Sequence, residues 1–185
     1  MIEKPEIKDA KNTDLKQAVF IGFDESFTSL EECFYDLSDA DTWAFPIPGR
    51  KNVAWIVMHS LMNLDMYGPL TLSFVSQPDR DDHRTCYDWS NSPFHTDRTP
   101  QVGDEFPSVQ DMLKRLRHIR NATFEVLGGL SCEDLRKPVR DWWSHASDSC
   151  MRTIWHTMTH VRQIWLLRGA MGWRDGQSWP HQHWA

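Results

Sequence analysis

The sequence has no C-x-x-C pair, no long apolar run and no excess of positive charge, and each absence removes a class of function. Its four cysteines, Cys33, Cys86, Cys132 and Cys150, lie far apart. That spacing suits neither a zinc ribbon nor a redox pair, and it predicts a reduced, cytoplasmic chain with unremarkable thiols. No uncharged stretch reaches the roughly 18–20 apolar residues needed to cross a bilayer, so no membrane partner is expected. Residues 1–11 are polar and mixed in charge, unlike a secretory leader. The formal net charge of −6 argues against nucleic acid as a partner, because phosphate binding needs clustered cations. The one local basic run, Lys114, Arg115, Arg117 and Arg120, falls inside a helical pattern and reads as a solvated helix face. There is no internal repeat and no segment that alternates as a half-buried strand does.

What is present suits one globular domain over residues 1–185. At 40% hydrophobic and 25% charged residues, the chain has enough apolar surface to bury and is not expected to be disordered. Ten tryptophans are far more than usual, and composition alone does not choose among core, pocket and interface for them. Four segments carry helical periodicity. The first covers residues 13–37, with Thr13 as N-cap and Leu15, Val19, Phe23, Phe27, Leu30, Phe34 and Leu37 forming one stripe. Pro46, Pro48 and Gly49 then mark a loop. The second covers 52–74 and is apolar around most of its circumference, with Gly68-Pro69 set to kink it. A polar connection over 77–107 follows, long enough to be a lid or a crossover. The third covers 108–130 with Gly128 and Gly129 as stop signals, and Ser131 opens a short helical turn ended by Pro138. The fourth covers 148–171, opened by Asp148 or Ser149. Together these predict an all-α four-helix bundle with a long crossover connection.

The chemistry concentrates in histidines. His156 and His160 are four apart, one turn above the other on one helical face, so both imidazoles can reach a common point. That spacing alone is common by chance and equally suits two hydrogen-bonded core histidines. His59 strengthens the case. It sits between Trp55, Met58 and Met62 in the most apolar helix, where a lone imidazole needs a partner. Facing helices of a bundle can bring all three into one cavity as a three-nitrogen metal site with open positions. Zinc, nickel, iron and manganese all accept such ligands. The segment His156-Thr-Met-Thr-His160 lacks the glutamate of the H-E-x-x-H motif, so a peptidase reading is poor. Asn63, one turn after His59, and Gln163, three residues after His160, are placed to orient the imidazoles or to make ordinary interhelical bonds. Asp65, six positions from His59, should point elsewhere. Of the other histidines, His95 in the long connection is the one best placed to fold over a bundle mouth. Trp142-Trp143 can wall a pocket or pack under a loop, and Cys150 is not expected to be nucleophilic.

A histidine in the middle of the second helix, then His156-x-x-x-His160-x-x-Gln163-Ile164 and Leu167-Arg168-Gly169, resembles the DinB/YfiT-like superfamily. The turn Leu130-Ser131-x-Glu133-Asp134-Leu135 adds to the likeness, which covers nearly the whole chain with few specific residues. Family members usually carry glycine where this chain has Arg162, a departure that leaves the histidines intact. The resemblance implies a DinB-like bundle with a metal triad of His59, His156 and His160, often a homodimer. It also implies a divalent-metal-dependent enzyme, possible members being thiol-dependent S-transferases in which a low-molecular-weight thiol attacks a small electrophilic substrate. A water-bearing metal would suit a hydrolase instead, and a non-catalytic metal-binding or stress-response protein is the alternative to an enzyme.

Overall fold

The computed structural model describes residues 14–79, 83, 85–94, 100–139 and 145–172. Helix α1 spans Leu15–Glu32. Its cap is Asp14, whose carboxylate accepts the Gln17 N–H at 2.8 Å, and Thr13, the expected cap, lies outside the described residues. Val19, Phe23, Phe27 and Leu30 are fully buried, as their spacing predicts. The helix stops short of residue 37. Cys33 closes it, Asp36 turns the chain at φ 57°, and Phe34 and Leu37 are buried from irregular backbone. A short helix α2, Asp39–Trp43, follows in what reads from sequence as the start of a loop. Five residues are too few for periodicity to show, but Ser38 and Asp41 form a reciprocal capping box that nucleates the turn.

Helix α3, Val53–Asp65, is capped by Asn52, which accepts the Trp55 N–H at 2.9 Å. Every residue of α3 except Asn63 is buried, which makes it the central helix. The Gly68-Pro69 step does not end the pattern. Pro69 has no N–H to donate back along the helix, and the backbone widens into a π turn over Met66–Leu70 before resuming as α4, Thr71–Ser76. Gly68 is needed there for a second reason: a Cβ would sit 3.0 Å from Thr123 Oγ1 on the neighbouring helix.

Helix α5 spans Val109–Gly129 behind the cap Ser108, and includes both glycines expected to stop it. The turn at Ser131 is α6, Cys132–Leu135, with its own capping box to Asp134. Helix α7, Ala146–Ala170, starts two residues earlier than Asp148 and ends on Gly172 at φ 86°. Helices α1 and α3 each pack on both α5 and α7, so α1 and α3 face each other across one diagonal of the bundle. No strand occurs among the described residues.

Two polar clamps tie these helices together. The basic run of α5 does not lie free in solvent as its spacing suggests: Arg120 pairs with the buried Asp24 of α1, and Arg117 reaches Glu31 at 2.6 Å. Just past the C-terminus of α1, the buried Arg168 of α7 donates to the carbonyls of Cys33 (2.9 Å) and Tyr35 (2.8 Å), which the end of the helix leaves without intrahelical donors. The connection after α4 is anchored by the buried Asp65. Its carboxylate accepts from Cys86 N–H (2.8 Å), Tyr87 N–H (3.0 Å) and Trp89 Nε1–H (2.8 Å).

Candidate metal centre

His59 is carried in the middle of α3 and His156 and His160 on the facing stretch of α7. One ligand nitrogen from each lies within 4.8 Å of the others. His59 is buried and the α7 pair is half-buried, so the cluster lies inside the bundle wall but within reach of solvent. The structure thus brings together all three histidines singled out in the sequence.

Hydrogen bonds orient two of the rings. The carbonyl of Phe94 lies 2.7 Å from His59 Nδ1, so that nitrogen carries the proton and Nε2 keeps its lone pair. Asn63 supports the same arrangement, its side-chain amide lying 3.3 Å from His59 Nε2 and donating to the His59 carbonyl at 3.0 Å. Gln163 Oε1 accepts from His160 Nδ1 at 2.8 Å, again leaving Nε2 as the acceptor. His156 Nε2 is 3.2 Å from His160 Nε2. With the His160 lone pair there, His156 Nε2 must carry the proton, which leaves His156 Nδ1 a buried acceptor, and no partner meets it. A cation bound to the Nε2 atoms would take the lone pairs of both α7 rings in place of their mutual contact, with His156 Nδ1 then carrying the proton.

Electrostatics favour the ligating form. Burial, with His160, His59 and Arg152 nearby, lowers the pKa of His156 to about 4. Burial also lowers that of His160, with Lys51 adding to the effect and the Gln163 bond opposing it. Both imidazoles are therefore neutral at pH 7, the state a metal requires. The Trp55 ring stacks on His59 with centroids 5.1 Å apart and planes 15° apart, and Lys51 Nζ lies 3.3 Å from the Trp55 centroid.

The remaining candidates are engaged elsewhere. Asp65 faces the 85–89 backbone, as its spacing predicts. His83 bonds Ser73 Oγ, His118 bonds the Tyr87 hydroxyl, and His145 pairs with Asp148. His95, Trp142, Trp143, His181 and His183 lie outside the described residues. Burial pushes the thiols of Cys33 and Cys150 up to about 12, and burial together with the Asp65 carboxylate does the same for Cys86, so none of these supplies a thiolate. One contributor escapes a sequence reading. The Phe94 carbonyl is a backbone group on an irregular segment, with no sequence signature at all. Trp55, one turn before His59, is legible from the α3 pattern, whereas Lys51 lies ahead of the cap Asn52 and outside that pattern.

Comparison with known proteins bears on the fold and the family. No curated protein matches the chain. The crystal structure of a conserved protein from Enterococcus faecalis superposes with a TM-score of 0.62, covering 87% of this chain and 99% of that one. At 16% identity this is a likeness of fold. The sequence profile of the DinB superfamily matches residues 23–164, a span from α1 to α7 that includes His59, His156 and His160. On that match the chain belongs to the DinB superfamily.

Proposed function

We propose that His59, His156 and His160 hold one divalent metal through their Nε2 atoms, and that the chain is a metal-dependent thiol S-transferase acting on small electrophiles. The observation that carries the reading is the convergence of three imidazoles from two helices, two of them with Nδ1 already tied to an oxygen. Metal-binding histidines usually have such an outer partner, because it fixes both the tautomer and the ring orientation. The donor set suits zinc, nickel, iron or manganese.

A divalent ion with open positions supplies acidity, lowering the pKa of a bound thiol or water so that a nucleophile exists near neutral pH. The chain's own residues prepare the site for this. Phe94 and Gln163 hold two rings in place, burial favours the neutral form of the two α7 imidazoles, and Asn63 offers an amide beside the cluster. No Asp or Glu joins the cluster among the described residues, so a carboxylate base of the metalloprotease kind has no counterpart. In the reaction proposed, a low-molecular-weight thiol is the attacking group: its proton passes to solvent, its sulfur bonds the electrophilic carbon, and the leaving group departs with its electron pair. A homodimer belongs to the same reading. Met151, Trp155 and Leu166 lie on one side of α7, around the exposed Arg162, and are 50%, 71% and 66% exposed, apolar area that a second copy would cover.

Elemental analysis of the untagged protein, beside His59→Ala and His160→Ala, tests the metal. Near-stoichiometric metal in the parent and its loss from both variants is expected. A parent that takes up no zinc, nickel or manganese when these are offered would sink the proposal. Conjugation assays with a panel of thiols and electrophiles then test the reaction, and stoichiometric metal without turnover would leave the chain a non-catalytic metal-binding protein.

A further inference from the structure

Asn63 is the one residue of α3 that is not buried, and its side chain lies against the triad. The amide nitrogen Nδ2 is 3.3 Å from His59 Nε2 and 3.0 Å from the His59 carbonyl. Both facing atoms are acceptors. The carbonyl has only lone pairs to offer, and Nε2 keeps its own because the Nδ1 proton goes to Phe94. The orientation of the amide is therefore fixed: turned over, it would set Oδ1 against two acceptors. One N–H serves the His59 carbonyl, and the second faces the nitrogen proposed to ligate.

Ligation changes what that second N–H meets. The single lone pair of Nε2 serves one partner, so a cation there takes the acceptor away. An amide N–H has no lone pair to give and does not join the donor set itself. At 3.3 Å from Nε2 it is within reach of an atom held beside that nitrogen. Asn63, His156 and His160 are all half-buried, so solvent touches the side chains that surround this position. What the N–H can accept as a partner is restricted by charge and lone pairs. A thiolate sulfur keeps lone pairs after it binds a metal, whereas a nitrogen ligand such as imidazole has none left on the bound atom.

We infer that Asn63 donates this N–H to the sulfur of the bound thiol, and so makes the site prefer a thiolate to a nitrogen ligand. The inference rests on the proposed function, because without a metal at Nε2 the N–H keeps its present acceptor. Asn63 then does two things: it braces His59 through the carbonyl, and it holds the incoming sulfur beside the ring.

Cobalt(II) substituted into the full chain reports both roles through its visible spectrum. Each sample is titrated with 2-mercaptoethanol and, separately, with imidazole. Asn63→Leu keeps the size of the side chain and removes the donor; Asn63→Asp replaces the donor with a charged acceptor. Cobalt content should stay at the parent level in both variants. The ratio of thiol to imidazole affinity should fall about tenfold in Asn63→Leu, the worth of a hydrogen bond to a charged atom, and further in Asn63→Asp. An unchanged ratio, an equal loss of both ligands, or a loss of cobalt from Asn63→Leu would each overturn the inference. A measurement on the parent needs no variant. In the zinc-loaded, ¹⁵N-labelled protein, thiol addition should move one Asn63 side-chain proton downfield, and a resonance that does not move would also overturn it. Cobalt bound with an unchanged ratio removes the Asn63 assignment alone. A parent that binds no cobalt removes the proposed function and this inference with it.

Discussion

At the scale of single residues, the three histidines differ in how they are held, and the differences are testable. His160 depends on one side-chain acceptor, Gln163, which lies on the exposed side of α7 and takes no part in the core. Replacing it with alanine should leave the melting temperature nearly unchanged. Metal affinity should fall about 10–100-fold, the usual effect of losing a group that orients a ligand. Chelator competition would measure this, and unchanged affinity would mean that Gln163 does not set the tautomer. His59 is held by a backbone carbonyl that no side-chain replacement removes. Residue spacing alone makes His156 and His160 a candidate pair, because a helix turns by a fixed amount per residue. It cannot reveal that His156 Nδ1 is left without a partner, since that follows from where every neighbouring group ends up.

At the scale of elements, caps and core contacts decide where helices begin and how firmly they pack. In the box that starts α2, Asp41 accepts from both the backbone N–H (2.8 Å) and the hydroxyl (2.6 Å) of Ser38. The Ser38 hydroxyl and then its backbone N–H hold the Asp41 pKa below the ordinary carboxylate value, so folding favours the ionised form. A carboxylate with a depressed folded pKa stabilises above its unfolded pKa, and that contribution disappears as pH falls through the folded value. Asp41→Asn should therefore lower the melting temperature at pH 7, and the gap from the parent should close below about pH 4. A gap independent of pH would mean that the carboxylate charge plays no part. Phe27 is fully buried on α1 and touches the rings of Phe23 and Phe124. Phe27→Ala should cost about 3–5 kcal/mol in denaturant unfolding, and a loss under 1 kcal/mol would show that the site collapses around the gap.

At the scale of the whole molecule, the metal centre needs three parts of the chain at once: α3, α7 and the connection that brings Phe94 to His59. Asp65 couples the last of these to the bundle. Asp65→Ala would leave two backbone N–H groups and the Trp89 indole without their acceptor, and about 2–4 kcal/mol of stability should go with them. The connection should also become a site of proteolytic cleavage, and metal affinity should fall although Asp65 touches no ligand. Should cleavage and affinity both match the parent, the connection is held by other contacts. The α5 arginines carry the same lesson. Their spacing resembles a solvated face, yet Arg120 and Arg117 close the bundle onto α1 through Asp24 and Glu31.

The sequence by itself determined the long helices and the faces they bury. The stripe of α1, the all-round burial of α3, the helix starts near Asn52 and Ser108, and the turn-spaced histidines of α7 all follow from local patterns, which are properties of a few consecutive residues. Tertiary structure alone decided the rest: that His59 meets His156 and His160, that Phe94 supplies an acceptor, that Gly68-Pro69 widens the helix instead of ending it, and that α1 ends at Glu32 with two residues of its apolar stripe, Phe34 and Leu37, still to come. Each of these depends on groups far apart in sequence competing for the same space, and a local pattern holds no record of that competition.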